Sequence, residues 1–141
     1  MDGQETVHAA ADTARAWAGL SAVTQFPRWT ASMRSVEPLD GEDLAVGRRY
    51  RIRQPGLMSA VWRVTEVRPG EAFTWETSAP GVRTTAFHTL AADADGGTQI
   101  SIGLHQEGPL VGLVDLFYAS RARRYLKLEA SGLKAAAEHA D

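Results

Sequence analysis

Through the middle of the chain, apolar and polar residues alternate in short runs separated by turn residues. The turn signals are Asp40-Gly41, Pro55-Gly56, Pro69-Gly70, Pro80-Gly81 and Gly96-Gly97, each between β-branched or aromatic runs. This pattern predicts a meander of antiparallel strands. Before it, Asp12 to Leu20 (DTARAWAGL) opens on an N-cap residue and carries Trp17 and Leu20, and a second short helical piece runs from Ser21 until Pro27. After it, Pro109 to about His139 is rich in Leu, Ala, Arg, Lys and Glu and is interrupted only by Gly112 and Gly132, which predicts one long C-terminal helix. Leu110, Leu113, Val114, Phe117, Tyr125 and Leu128 form a stripe that drifts towards Leu126 and Leu133, and a stripe this wide has to lie against the sheet. Arg121 projects near its centre. Either its stem packs while its head reaches a rim or a carbonyl, or it stands as a cation inside a ligand cavity.

The stretch AVWRVTEVRPGEAFTWET, Ala60 to Thr77, fixes which residues face inward. A turn centred on Pro69-Gly70 sets Arg63 opposite Glu76, Thr65 opposite Thr74 and Val67 opposite Ala72, pairs that suit a solvated face. Trp62, Val64, Phe73 and Trp75 then share the other face, with Glu66 towards the turn end. Turning again at Pro80-Gly81 places Trp75 beside Ala86 and Phe73 beside His88. A loop centred on Asp95 sets Leu90 beside Ile100, His88 beside Ile102 and Ala86 beside Leu104. The run QISIGLHQ agrees, with Ile100, Ile102 and Leu104 inward. Four strands thus share an apolar face that holds one histidine, and the opposite face collects Arg63, Glu76, Arg83, Thr85 and Ser101, with Phe87 as its apolar exception. In RRYRIRQPG, Tyr50, Ile52 and Gln54 point inward and Arg49, Arg51 and Arg53 outward.

A chain of 141 residues, 44% hydrophobic and 23% charged, has the size of one globular domain over residues 1–141. A net charge of -2 offers no basic stripe for nucleic acid. No segment reaches membrane-spanning length, so stable membrane insertion is not expected, and the cytoplasm is the default location. The only dense charge run, RARR at 121 to 124, reads as a helix surface. With no cysteine, thiolate metal sites and disulfides are excluded. His8, His88, His105 and His139 show no metal-ligand spacing, and HExxH, GxSxG and dinucleotide-binding glycine motifs are missing. No metal or other cofactor is expected.

These features resemble the START-like (SRPBCC) superfamily and, within it, the polyketide cyclase/dehydrase and lipid-transport proteins. The resemblance rests on ARAWAGL...FPRWTASM, with Trp17 in the first helix and Pro27 and Trp29 after the second. It continues through VGRRYRIRQPG, VWRVTEVRPGEAFTWE, GGTQISI and LEASGLKAAAE, and so spans nearly the whole chain. It implies an α+β helix-grip fold: a curved seven-stranded antiparallel sheet wraps a long C-terminal helix, two short helices follow the first strand, and a hydrophobic cavity lies between sheet and helix. One departure stands out. The family's first strand runs for several residues, whereas this chain offers only about Gln4 to His8, leaving an edge open to solvent or to dimer pairing.

Such a cavity implies a small hydrophobic ligand, a lipid, polyketide or aromatic compound, bound by a monomer or homodimer. The expected lining is Trp62, Phe73, Trp75, His88, Ile102 and Leu104 from the sheet, Phe117 and Arg121 from the helix, and Trp29, Met33 and Tyr50 at the mouth. His88 admits three roles: a core histidine bonded to backbone or hydroxyl, a ligand contact, or the acid-base group of a cyclase, aromatase or dehydrase. No carboxylate partner for it can be placed from the register, since Glu129 and Asp115 lie on the helix at an unknown distance. Binding requires only the cavity, whereas catalysis also requires a positioned acid-base pair.

Overall fold

The structure, a computed structural model, describes residues 2–139. Its strands are β1 (Asp2–Ala9), β2 (Ser35–Pro38), β3 (Arg49–Arg53), β4 (Ala60–Arg68), β5 (Ala72–Ala79), β6 (Val82–Ala92) and β7 (Thr98–Glu107). Helix α1 (Thr13–Ser21) and a 3-10 helix (Val23–Arg28) follow β1, and α2 (Val111–Glu138) closes the chain. The seven strands form one antiparallel sheet in the order β1-β7-β6-β5-β4-β3-β2, so every pairing except β1 with β7 joins neighbours in sequence. This is the expected α+β helix-grip arrangement.

Local chemistry accounts for the helix boundaries. The Asp12 side chain accepts the Arg15 N–H at 2.9 Å and caps α1. Leu20 and Ala16 form its buried face, while Trp17 is only partly covered. Pro27 sits inside the 3-10 helix, which runs one residue further to Arg28; its fixed φ suits the helical backbone, and its missing N–H falls near the end, where few bonds remain to be made.

The strand registers of β5 with β6 and of β6 with β7 are as expected, including Phe73 with His88 and His88 with Ile102. The β4–β5 hairpin is different. Arg63 pairs with Glu76 and Val64 with Trp75, but beyond a bulge the pairs become Glu66 with Thr74, Val67 with Phe73 and Arg68 with Ala72. Pro69 fixes its φ, Gly70 takes φ +80° and the Glu71 N–H returns to the Arg68 carbonyl at 2.9 Å, a pattern that suits a type II turn. Such a turn does not match strand twist in a two-residue hairpin, so the loop takes a third residue and the bulge restores the register. The expected Thr65/Thr74 and Val67/Ala72 pairs are therefore corrected, and Thr65 instead donates its hydroxyl to the Thr74 carbonyl at 3.3 Å. The extra residue turns Val67 towards the core and sends Glu66 out to solvent, where it pairs with Arg68. Trp62 and Trp75 lie before the bulge and keep their common face.

The first strand also differs from expectation. It covers eight residues, all paired with β7 from Asp2 with His105 to Ala9 with Thr98. Alternation carries on through the polar residues Gly3-Gln4 because one face of an edge strand is free to be polar.

Helix α2 packs against β1, β7 and α1, so it lies over one side of the concave face. Its buried residues are Tyr125, Leu126, Glu129, Ala130, Leu133 and Ala137, all in its second half. The expected stripe was drawn too far towards the N-terminus: Leu113 is 54% exposed and Phe117 70% exposed.

Candidate cavity between sheet and helix

The asymmetric seat of α2 leaves a space over β3 to β7. Its floor combines small residues, Ala60, Ala79, Ala86 and Gly103, with Trp62, Trp75, Ile52 and Ile102 around them. Val114, Tyr118, Ala122, Tyr125 and Leu126 of α2 form the roof. The enclosed volume is about 340 Å³, within the range of small-molecule sites. Rigid tryptophan rings beside alanines cannot collapse into the gap, which keeps it open.

Trp75 is the hinge between cavity and core. Its ring centroid lies 5.9 Å from that of Trp62, 5.1 Å from Phe73 in an edge contact and 6.0 Å from Tyr50. One side of this aromatic cluster fills the interior and the other faces the cavity. Both tryptophans therefore act in the core and in the pocket wall at once.

His88 stands in the floor, 3% exposed, stacked on Phe73 with centroids 4.1 Å apart and planes 9° from parallel. Its Nδ1 lies 3.2 Å from the Phe73 carbonyl. A carbonyl only accepts, so Nδ1 carries the hydrogen and Nε2 keeps its lone pair. Burial pushes the imidazole down to about 4, against a smaller opposing effect of the Phe73 carbonyl. The ring is thus neutral at pH 7.

Glu129 enters the cavity from α2 and is 9% exposed. Ser32 donates its hydroxyl to Oε1 at 3.1 Å, and Thr30 lies 2.8 Å from the same Ser32 hydroxyl. Since Ser32 spends its proton on the carboxyl, Thr30 is the donor in that pair. Burial pushes Glu129 up to about 7, only partly offset by the Ser32 bond. Sequence reasoning left this residue unplaced. Its signal was the helical spacing Tyr118, Ala122, Tyr125, Glu129, which carries a carboxylate along an otherwise inward-facing row.

At the outer end, Arg121 donates from Nη1 to the Gly56 carbonyl at 2.9 Å, and the Tyr125 hydroxyl donates to the Pro55 carbonyl. These bonds strap the β3–β4 loop onto α2. Arg121 is a lining residue of the cavity, and one N–H of its head is held by a carbonyl. Leu57 and the 91% exposed Met58 of the same loop stand at the rim, two residues that the meander pattern gave no reason to select.

Of the expected lining residues, Met33, Trp62, Trp75, His88, Ile102, Leu104 and Arg121 border the cavity. The remaining four do not. Trp29 packs instead on Gly132 of α2, where an added Cβ would lie 2.1 Å from the Trp29 carbonyl oxygen. Tyr50 is fully buried and its hydroxyl reaches the Glu42 and Asp43 carbonyls at 3.2 and 3.1 Å, anchoring the β2–β3 loop. Phe73 lies beneath His88 in the core, and Phe117 points to solvent because α2 is rotated to bury Ala122 and Leu126. Away from the cavity, His8 meets Asp93 and Asp95 at 3.2 Å each, a cluster at the sheet edge that sequence spacing did not suggest.

The sequence matches the family described as polyketide cyclase / dehydrase and lipid transport over residues 2–138. Among curated proteins, none matches by sequence. Solved structures share the fold at low identity. A hypothetical protein of Helicobacter pylori is 13% identical with a TM-score of 0.78, covering 95% of this chain and 84% of its own. A protein from Mesorhizobium loti is 15% identical with a TM-score of 0.77, covering 100% and 99%. Ara h 8.0201 is 15% identical with a TM-score of 0.64, covering 96% and 98%.

Proposed function

Because the chain belongs to the polyketide cyclase / dehydrase and lipid transport family, we propose that it binds a small, largely apolar molecule between the sheet and α2. The observation that carries this reading is the 340 Å³ cavity itself, walled by Trp62, Trp75, Ile52, Ile102 and Met33 and holding two buried titratable groups, an imidazole pushed down to about 4 and a carboxyl pushed up to about 7, that are both mostly uncharged between those values. A neutral apolar space favours ligands that lose little hydration on entry. Isothermal titration with 2-methoxynaphthalene tests it. Saturable one-to-one binding is expected for the wild type, and its loss is expected in Ala86→Phe, which fills the floor. Heat changes that are absent in both proteins would refute the reading.

A second reading, cyclase or dehydrase chemistry in the same space, gains from one observation. His88, with its imidazole at about 4, is a weak base and no acid at neutral pH, whereas Glu129 at about 7 is matched to proton transfer there. Should a poly-β-ketone analogue turn over, Glu129→Gln is expected to abolish the reaction and His88→Phe to slow it less. The opposite ranking would return the acid-base role to His88.

A further inference from the structure

The polar atoms of the cavity are not equivalent. Towards the mouth they are engaged with one another or with backbone: Gln106 donates to Thr84 at 3.1 Å, Arg121 to Gly56 and Tyr125 to Pro55. Two side chains at least nine-tenths buried are different. Among the described residues, His88 spends Nδ1 on Phe73, and Glu129 spends Oε1 on Ser32, while His88 Nε2 and Glu129 Oε2 have no protein partner and are not sealed off from the cavity.

Both atoms open into the same cavity. Together with Met33, Ile52 and Ile102, His88 and Glu129 are among its buried lining residues, and these mark its inner end.

We propose that the inner end of the cavity recognises a hydroxyl group on an otherwise apolar ligand, an alcohol or a phenol, with His88 Nε2 accepting its proton and Glu129 Oε2 donating to its oxygen. The inference rests on the reading of the cavity as a ligand site and adds the class of ligand. A hydroxyl is the smallest group that donates and accepts at once, as this pair requires. The Thr30–Ser32–Glu129 relay fixes the donor direction, since Ser32 already donates to Oε1 and leaves the carboxyl proton to Oε2. A ligand carboxylate at this end would meet a carboxyl and a lone pair, while Arg121, the cationic residue of the lining, starts from a Cα about 12 Å away from that of Glu129 along α2 and bonds Gly56. An ether can accept from Glu129 but has no proton to give His88 Nε2, and an unmatched buried acceptor is costly.

The test compares 2-naphthol, 2-methoxynaphthalene and 2-naphthylmethylamine by isothermal titration at pH 6. For the wild type, the naphthol is expected to bind about tenfold more tightly than the ether, the effect of one well-made hydrogen bond. Glu129→Leu and His88→Phe are each expected to bring the two affinities together. Glu129→Gln, which keeps an N–H donor in place of the carboxyl, is expected to keep them apart. Equal affinities for naphthol and ether in the wild type would overturn the hydroxyl assignment while leaving the apolar site standing. Tighter binding of the amine than of the naphthol would overturn it in favour of an ionised Glu129. Failure of all three probes to bind would overturn the site itself.

Discussion

The two halves of α2 are made of similar residues and do opposite things. From Tyr125 onward, Leu126, Ala130, Leu133 and Ala137 are 5% exposed or less, locked against α1, β1 and β7. Before Tyr125, Leu113, Leu116 and Phe117 are 54 to 76% exposed, and the inward side covers a void instead of a packed core. Apolar composition alone does not say which half holds the fold together. Partner geometry does: small residues, Ala130 and Gly132, let the second half come close, with Gly132 against the Trp29 backbone, whereas Tyr118, Arg121 and Tyr125 prop the first half away from the sheet. The inner half packs the core, and the outer half roofs much of the cavity.

Truncating one side chain in each half sets the scale of that contrast. Leu133→Ala removes a fully buried side chain and is expected to lower stability by about 2–5 kcal/mol in chemical denaturation. A loss under about 1 kcal/mol would place the anchoring contacts elsewhere.

The boundary between the halves carries the pH dependence. His88 titrates at about 4 when folded and about 6.5 when unfolded, so the unfolded chain binds the extra proton and stability from this group falls as pH drops from 6.5 towards 4. Glu129 titrates at about 7 when folded against 4.5 when unfolded, so here the folded chain holds the extra proton and stability falls as pH rises from 4.5 to 7. Each effect amounts to about 3 kcal/mol across its window, and between pH 4.5 and 6.5 they oppose each other. The wild type is therefore expected to be nearly flat there. Glu129→Gln exposes the histidine and makes stability rise with pH, whereas His88→Phe exposes the carboxyl and makes it fall. Parallel profiles in the two variants would show that the groups are not buried as described.

At the small end, Phe117→Ser on the outer half is expected to change stability by no more than about 0.5 kcal/mol, since the ring is 70% exposed. A larger loss would mean that this face is covered in solution.

Much of this was legible in the sequence, for reasons that can be named. Turn residues and alternation sufficed for β5, β6 and β7, because each loop there leaves the register symmetrical about its centre and His88 falls inward by period alone. They failed at Pro69-Gly70, where proline selects a turn whose twist requires a compensating bulge, so Glu66 and Val67 exchanged faces. They failed again on α2, because a helical stripe more than a third of a turn wide does not say which of its edges meets the sheet. That rotation cost Phe117 its place and hid Glu129. Tyr50 was read correctly as inward-facing, but it and Trp29 were assigned to the mouth, since sequence gives no distance between the 3-10 helix, β3 and the open end of α2.

The claim that the ligand seats in the cavity between the sheet and α2 is tested most directly by methyl NMR during titration with 2-methoxynaphthalene. The account predicts that the Met33, Ile52 and Ile102 methyl signals shift together and saturate, while those of Leu133 and Val46 stay in place. Saturation that moves only surface methyls such as Leu113 and Leu116, with Met33, Ile52 and Ile102 unmoved, would contradict it.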